Sequence, residues 1–136
     1  MQARTATPLT LRIIRIAMLA GLLLFGGVTW WLHSTGNAPA PFDPAFARTL
    51  QLVFFAMCVS FAAAIMLLRS VRSRTSGPRV VTLSLLAYAL GEGIAIFGAV
   101  YWLFTGAPAL YAAGLAIFLL ALLLLPVPEE EVLAGA

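Results

Sequence analysis

The sequence predicts an all-α protein, a four-helix transmembrane bundle forming a single integral membrane domain over residues 1–136, and three observations carry that prediction. The chain is 62% hydrophobic and only 10% charged, whereas ordinary soluble domains hold shares near a half and a quarter. Four apolar runs, at residues 11–32, 49–69, 80–103 and 108–125, meet or approach the roughly 20 residues that a bilayer crossing takes. The eight prolines all fall at or beyond the ends of these runs. Pro8, Pro44, Pro78 and Pro108 stand where helices should begin, a position at which the missing N–H is harmless.

Composition also narrows the function. The basic residues are all arginine and gather at the ends of the apolar runs, so a sequence pI near 9.8 reflects topology and no nucleic-acid partner is expected. A single histidine, His33, and the lack of lysine exclude a haem held by two histidines of this chain and a retinal-type Schiff base. Cys58 has no second cysteine to pair with and reads as a small packing residue. With no nucleophile–base pair, metal-ligand cluster or phosphate loop, no enzyme activity, cofactor or metal site is expected. Gly91-Glu92-Gly93 is no phosphate motif when it lies within a membrane span.

The first run resembles a signal sequence at its start, where Arg12 and Arg15 precede apolar residues and Ala38-Pro39-Ala40 has a small-x-small form. It is nevertheless nearer a full span than the roughly 7–15 residues of a signal core, Trp30 and Trp31 mark an interface, and Pro41 follows the site. A retained helix is therefore expected. Arg12 and Arg15 share a face near its inner end, where both are expected to reach toward the headgroups. Residues 33–43, HSTGNAPAPFD, have a loop composition, and Asp43 before Pro44 predicts an N-cap. The second run mixes Phe54, Phe55 and Phe61 with Ala56, Ser60, Ala62, Ala63 and Ala64, and such small residues suit close helix approach.

The connection at residues 69–79 holds Arg69, Arg72, Arg74 and Arg79. With Arg4, Arg12 and Arg15 it places seven of the eight arginines on one side and leaves Arg48 alone on the other. The positive-inside rule then puts both termini in the cytoplasm of a plasma or bacterial inner membrane, with Trp30, Trp31, Trp102, Tyr101 and Tyr111 at the outer interface. The fourth run is near the lower length limit, Pro126 and Pro128 end it, and Glu129, Glu130 and Glu131 read as a solvated tail within residues 126–136. A faint repeat pairs GGVTWWLHSTG with FGAVYWLFTG and Pro8 with Pro78, which implies two tandem hairpins in the same orientation. Gly21 stands in the first where Glu92 stands in the second.

Glu92, near the middle of the third run, is the candidate functional residue, because a charge at the bilayer centre costs from about 2.5 to well over 10 kcal/mol and marks function by default. Without a cation at its depth the acid is expected in its neutral form. Ser84, Tyr88 and Glu92 fall four apart, which makes Tyr88 and Ser84 candidate hydrogen-bond partners, and rise-per-residue counting brings Ser60 of the second run to the same depth. Beside them Ala87, Gly91, Ala95 and Ala99 form a groove of small side chains that is expected to pack against another helix.

The segment ALGEGIAIFGAVYWLF resembles the carboxylate helix of the proteolipid subunit c of rotary ATP synthases, and RSRTSGPR sits where that family has its short cytoplasmic loop. The likeness covers residues 50–104. It implies that Glu92 is an ion-carrying carboxylate in a chain that associates with itself or with other membrane subunits. Two function classes are thus expected: a proton- or ion-linked membrane subunit using Glu92, or a non-catalytic assembly subunit in which Glu92 is interhelical hydrogen-bond glue.

Overall fold

The computed structural model describes residues 8–74 and 78–125. Within them the chain is all-helical, with α1 (Pro8–Ser34), α2 (Pro44–Arg72), α3 (Pro78–Thr105) and α4 (Ala109–Leu124) in order and no strand. Arg4, Pro126, Pro128 and the acidic tail with Glu129, Glu130 and Glu131 lie outside the described residues. The first three helices are long and apolar enough to cross a membrane. α4, at 16 residues, rises about 24 Å, which is short of a typical hydrocarbon core of about 30 Å.

The helix ends follow from local chemistry. Asp43 caps α2, its carboxylate accepting from the backbone N–H of Ala45 at 2.8 Å and of Phe46 at 3.4 Å, directly before Pro44. α1 ends where Gly36 adopts a φ of +72°, and Asn37 N–H reaches back to the carbonyl of Leu32 at 2.9 Å while Gly36 N–H reaches that of His33 at 3.3 Å. α3 ends on Gly106 with a φ of +74°, whose N–H bonds the carbonyl of Trp102 at 2.8 Å. Both glycines occupy a backbone region that other residues avoid.

α3 is the hub. α4 lies along it so closely that a Cβ on Gly98 would sit 2.5 Å from the carbonyl oxygen of Leu110, and one on Gly114 would sit 2.8 Å from Cα of Ala95. α1 runs in the same direction as α3, with His33 beside Trp102 at one end and Arg15 beside Tyr88 toward the other. α2 runs antiparallel to α3, joined to its C-terminal half by Phe42, just before α2, stacked on Phe104, by Gln51 Nε2 donating to the Tyr101 hydroxyl at 2.8 Å and by Phe54 against Phe97. The C-terminal half of α2 contributes Ile65 and Leu68 to a core that also holds Leu22, Ala87, Tyr88, Phe118 and Leu122.

Most small residues of α2 stay outside its contact with α3. Ala56, Ser60, Ala62 and Ala63 are exposed, whereas Ala64 is half-buried beside Leu90 and Ile94 of α3, and Phe54, Ile65 and Leu68 are buried. α1 and α2 scarcely touch, and neither do α2 and α4. The pair formed by α3 and α4 is therefore a tight hairpin, while α1 and α2 meet mainly through α3.

Candidate functional site

Glu92 stands at the midpoint of the apolar stretch Arg79–Thr105, with about 20 Å of helix on either side. Its place around the helix is a seam. Tyr88, Ala95 and Ala99, at i−4, i+3 and i+7, are buried, whereas Ala89, Ile96 and Val100, at i−3, i+4 and i+8, are exposed. Glu92 itself is half-buried, and among the described residues it has no hydrogen-bond or ion-pair partner.

The polar groups expected around the acid are placed elsewhere. The buried Ser84 hydroxyl donates to the carbonyl of Val80 in its own helix at 2.8 Å. The fully buried Tyr88 donates its hydroxyl to the carbonyl of Leu125 at the end of α4. Ser60 is exposed on α2, where it lines a shallow groove with Leu90 and Ile94 of α3. Spacing by four explains the error, since four residues turn a helix by about 400° and each step along such a stripe drifts about 40°. Ser84 and Tyr88 have sunk into the bundle interior by the position at which Glu92 has emerged at its edge.

The same drift shapes the small-residue stripe. Ala87, Gly91, Ala95 and Ala99 are all buried. A Cβ on Gly91 would lie 3.3 Å from Cα of Phe118 and 3.4 Å from Cβ of Ala121, and Ala95 backs onto Gly114, so the stripe faces α4 over this part of its length.

Two arrangements that the sequence reading missed hold the bundle at its ends. At the end of the bundle where α4 stops, Arg15 Nη2 donates to the carbonyl of Leu122 at 2.7 Å, and its guanidinium carbon lies 5.4 Å above the centre of the Tyr88 ring. With the Tyr88–Leu125 bond, two side chains from other helices satisfy carbonyls in the last turn of α4, where the helix dipole also favours a cation. Arg12 remains exposed. The signal was available in spacing: Leu11, Leu22, Gly26 and Thr29 are buried and recur on one stripe that includes Arg15.

At the opposite end, near Gly36 and Gly106, Trp102 packs within the bundle. It lies half-buried between the parallel ring of His33, with centroids 6.5 Å apart, and the ring of Tyr111 at 5.3 Å. His33 Nε2 is 3.1 Å from the carbonyl oxygen of Trp102, its donor tautomer supplying the proton. Tyr111 is buried and donates its hydroxyl to the carbonyl of Leu22 at 2.8 Å. Gly26 makes room for that ring, because a Cβ there would collide with the Tyr111 hydroxyl.

Fold and site together define a small helical bundle with three membrane-span candidates and one half-exposed carboxyl at the middle of its hub helix. Comparison with family models, with curated proteins and with solved structures finds no match for the chain.

Proposed function

We propose that this protein is a membrane subunit that handles protons or cations through Glu92 at a contact with a neighbouring chain, either a second copy or another membrane subunit. The supporting observation is a carboxyl at mid-span that is half-exposed and has no partner among the described residues. Glue within the bundle would need an acceptor or donor in the bundle, and the groups at hand are committed elsewhere. An acid left at the edge of a membrane helix must be neutral, meet water or meet protein. The likeness of residues 50–104 to a proteolipid helix agrees with this reading. In the proposed topology all four helices cross, α4 only just, and both termini are cytoplasmic, because Arg12, Arg15, Arg69, Arg72, Arg74 and Arg79 gather at one end.

The test is carbodiimide labelling in native membranes, read by mass spectrometry of the modified peptide. Carbodiimides attack the protonated acid, so Glu92 should be labelled, labelling should fall as pH rises, and the transported cation should protect it in a concentration-dependent way. A Glu92 that never reacts, or that reacts without cation protection and without pH dependence, would remove the carrier role. Orientation is checked separately with a membrane-impermeant thiol reagent on intact cells in a Cys58→Ser background. Ala40→Cys should label and Ser73→Cys should not.

A second reading is an assembly subunit in which Glu92 donates a hydrogen bond across the contact. It is favoured by the exposed Ala56, Ser60 and Ala63 of α2, small residues of the kind that line helix–helix contacts. Glu92→Gln separates the two, since it keeps the hydrogen bonds and ends titration. A carrier loses its pH-dependent function with assembly intact, and glue loses neither.

A further inference from the structure

We propose that the groove between the inner halves of α2 and α4 holds an anionic phospholipid of the cytoplasmic leaflet, with an acyl chain against its apolar walls and the phosphate on Arg69. Placing this end in the cytoplasmic leaflet rests on the orientation proposed above; the groove and its cation do not.

The groove exists because α2 is tied to α3 by its aromatic residues and scarcely meets α4. It encloses about 710 Å³ between Phe61, Ile65 and Met66 on one side and Ile117, Leu120 and Leu124 on the other. Arg69, Ser70 and Ser73 form its inner mouth. From Cys58 at the deep end to Arg69 at the mouth is eleven residues of helix, or about 16 Å, close to the roughly 15 Å of hydrocarbon in one leaflet. A cation thus stands at the depth where a headgroup phosphate would lie when an acyl chain fills the apolar part.

The mouth is prepared for an anion. The Arg69 guanidinium and the Ser70 hydroxyl have no partner among the described residues, and both are exposed. Among the described residues neither Asp nor Glu lines the groove beside the arginine. Basic clefts between helices on the cytoplasmic side are a recurrent form of headgroup site. The layout of the groove matches a lipid, whose acyl chain and anionic headgroup divide as the apolar walls and the Arg69 mouth do.

The experiment uses the full chain purified in a neutral detergent, with lipid retention read by native mass spectrometry and stability by thermal unfolding. Phosphatidylglycerol, phosphatidylcholine and inorganic phosphate are the probes. Wild type should retain phosphatidylglycerol about fivefold over phosphatidylcholine, the preference that one arginine near a headgroup supplies. Arg69→Gln should bring the two lipids level, and Ala62→Trp, which fills the groove, should reduce retention of both. Both substituted side chains are exposed, so the lipid-free variants should melt as the wild type does. Equal retention of the two lipids by wild type, or a preference unchanged in Arg69→Gln, would overturn the proposal. So would stabilisation by inorganic phosphate alone, which would mark a free-anion site. A change of oligomeric state in Ala62→Trp with lipid retention intact would identify the groove as a contact between copies and would overturn it as well.

Discussion

The connections from α1 to α2 and from α3 to α4 are similar in sequence, and the helix pairs that they join differ. Trp31-Leu32-His33-Ser34-Thr35-Gly36 and Trp102-Leu103-Phe104-Thr105-Gly106 both end a helix on a glycine of positive φ. Yet α3 and α4 approach backbone to backbone, whereas α1 and α2 scarcely touch. The caps cannot account for the difference, because they stop a helix without choosing its neighbour. Missing side chains can. Gly91, Gly98 and Gly114 sit where a Cβ would meet the opposite helix, while Gly21 and Gly27 of α1 face open space and α2 has no glycine. In a membrane, where lipid is as apolar as leucine, close packing decides which helices associate.

The comparison can be broken most severely at Gly98. Gly98→Leu should destabilise the bundle by about 3 kcal/mol or more, since the new side chain meets the Leu110 carbonyl and the Tyr111 backbone, neither of which can move without parting the hairpin. Gly27→Leu should change stability by less than about 0.5 kcal/mol, as nothing lies within 4 Å of its Cβ position. Thermal unfolding of both variants in one detergent decides the matter, and equal losses would refute the account of the hairpin.

Smaller losses are expected from the side chains that tie α1 to the hairpin. Arg15→Gln removes a charged hydrogen bond to the end of α4 and the contact with the Tyr88 ring, and should lower stability by about 1.5–3 kcal/mol. Arg12→Gln, three residues away and exposed, should be neutral in the same melting assay. Tyr111→Phe keeps the ring stack with Trp102 and loses the bond to Leu22, for about 1 kcal/mol. The least effect belongs to α2. Gln51→Leu loses one bond to the Tyr101 hydroxyl, about 0.5–1 kcal/mol, and hydrogen exchange should show α2 loosening while α3 and α4 keep their protection.

Helix number and approximate ends were legible in the sequence because prolines, the Asp43 cap and the turn glycines act locally. The partners of each helix were not. α3 and α4 are apolar all round, so no polar face marks which side meets lipid and which meets protein. For the same reason the partners of Glu92 were misplaced: counting by fours along α3 ignored the drift that carries Ser84 and Tyr88 inward. Arg15 shows what a stricter reading of α1 would have found, since its stripe with Leu11 and Leu22 faces the core. Long-range pairs such as Tyr111 with Leu22 and His33 with Trp102 depend on the crossing of the helices, which no local pattern records.

The central claim is that the exposed side of the Glu92 seam meets a neighbouring chain, and photo-crosslinking in native membranes tests it most directly. A photoreactive phenylalanine at Ile96, one turn beyond Glu92 and 45% exposed, is compared with one at Leu123 on α4, 75% exposed. The account predicts a discrete adduct at a fixed higher mass from Ile96 and only lipid or unreacted monomer from Leu123. Monomer alone from Ile96, or the same adduct from both positions, would contradict it.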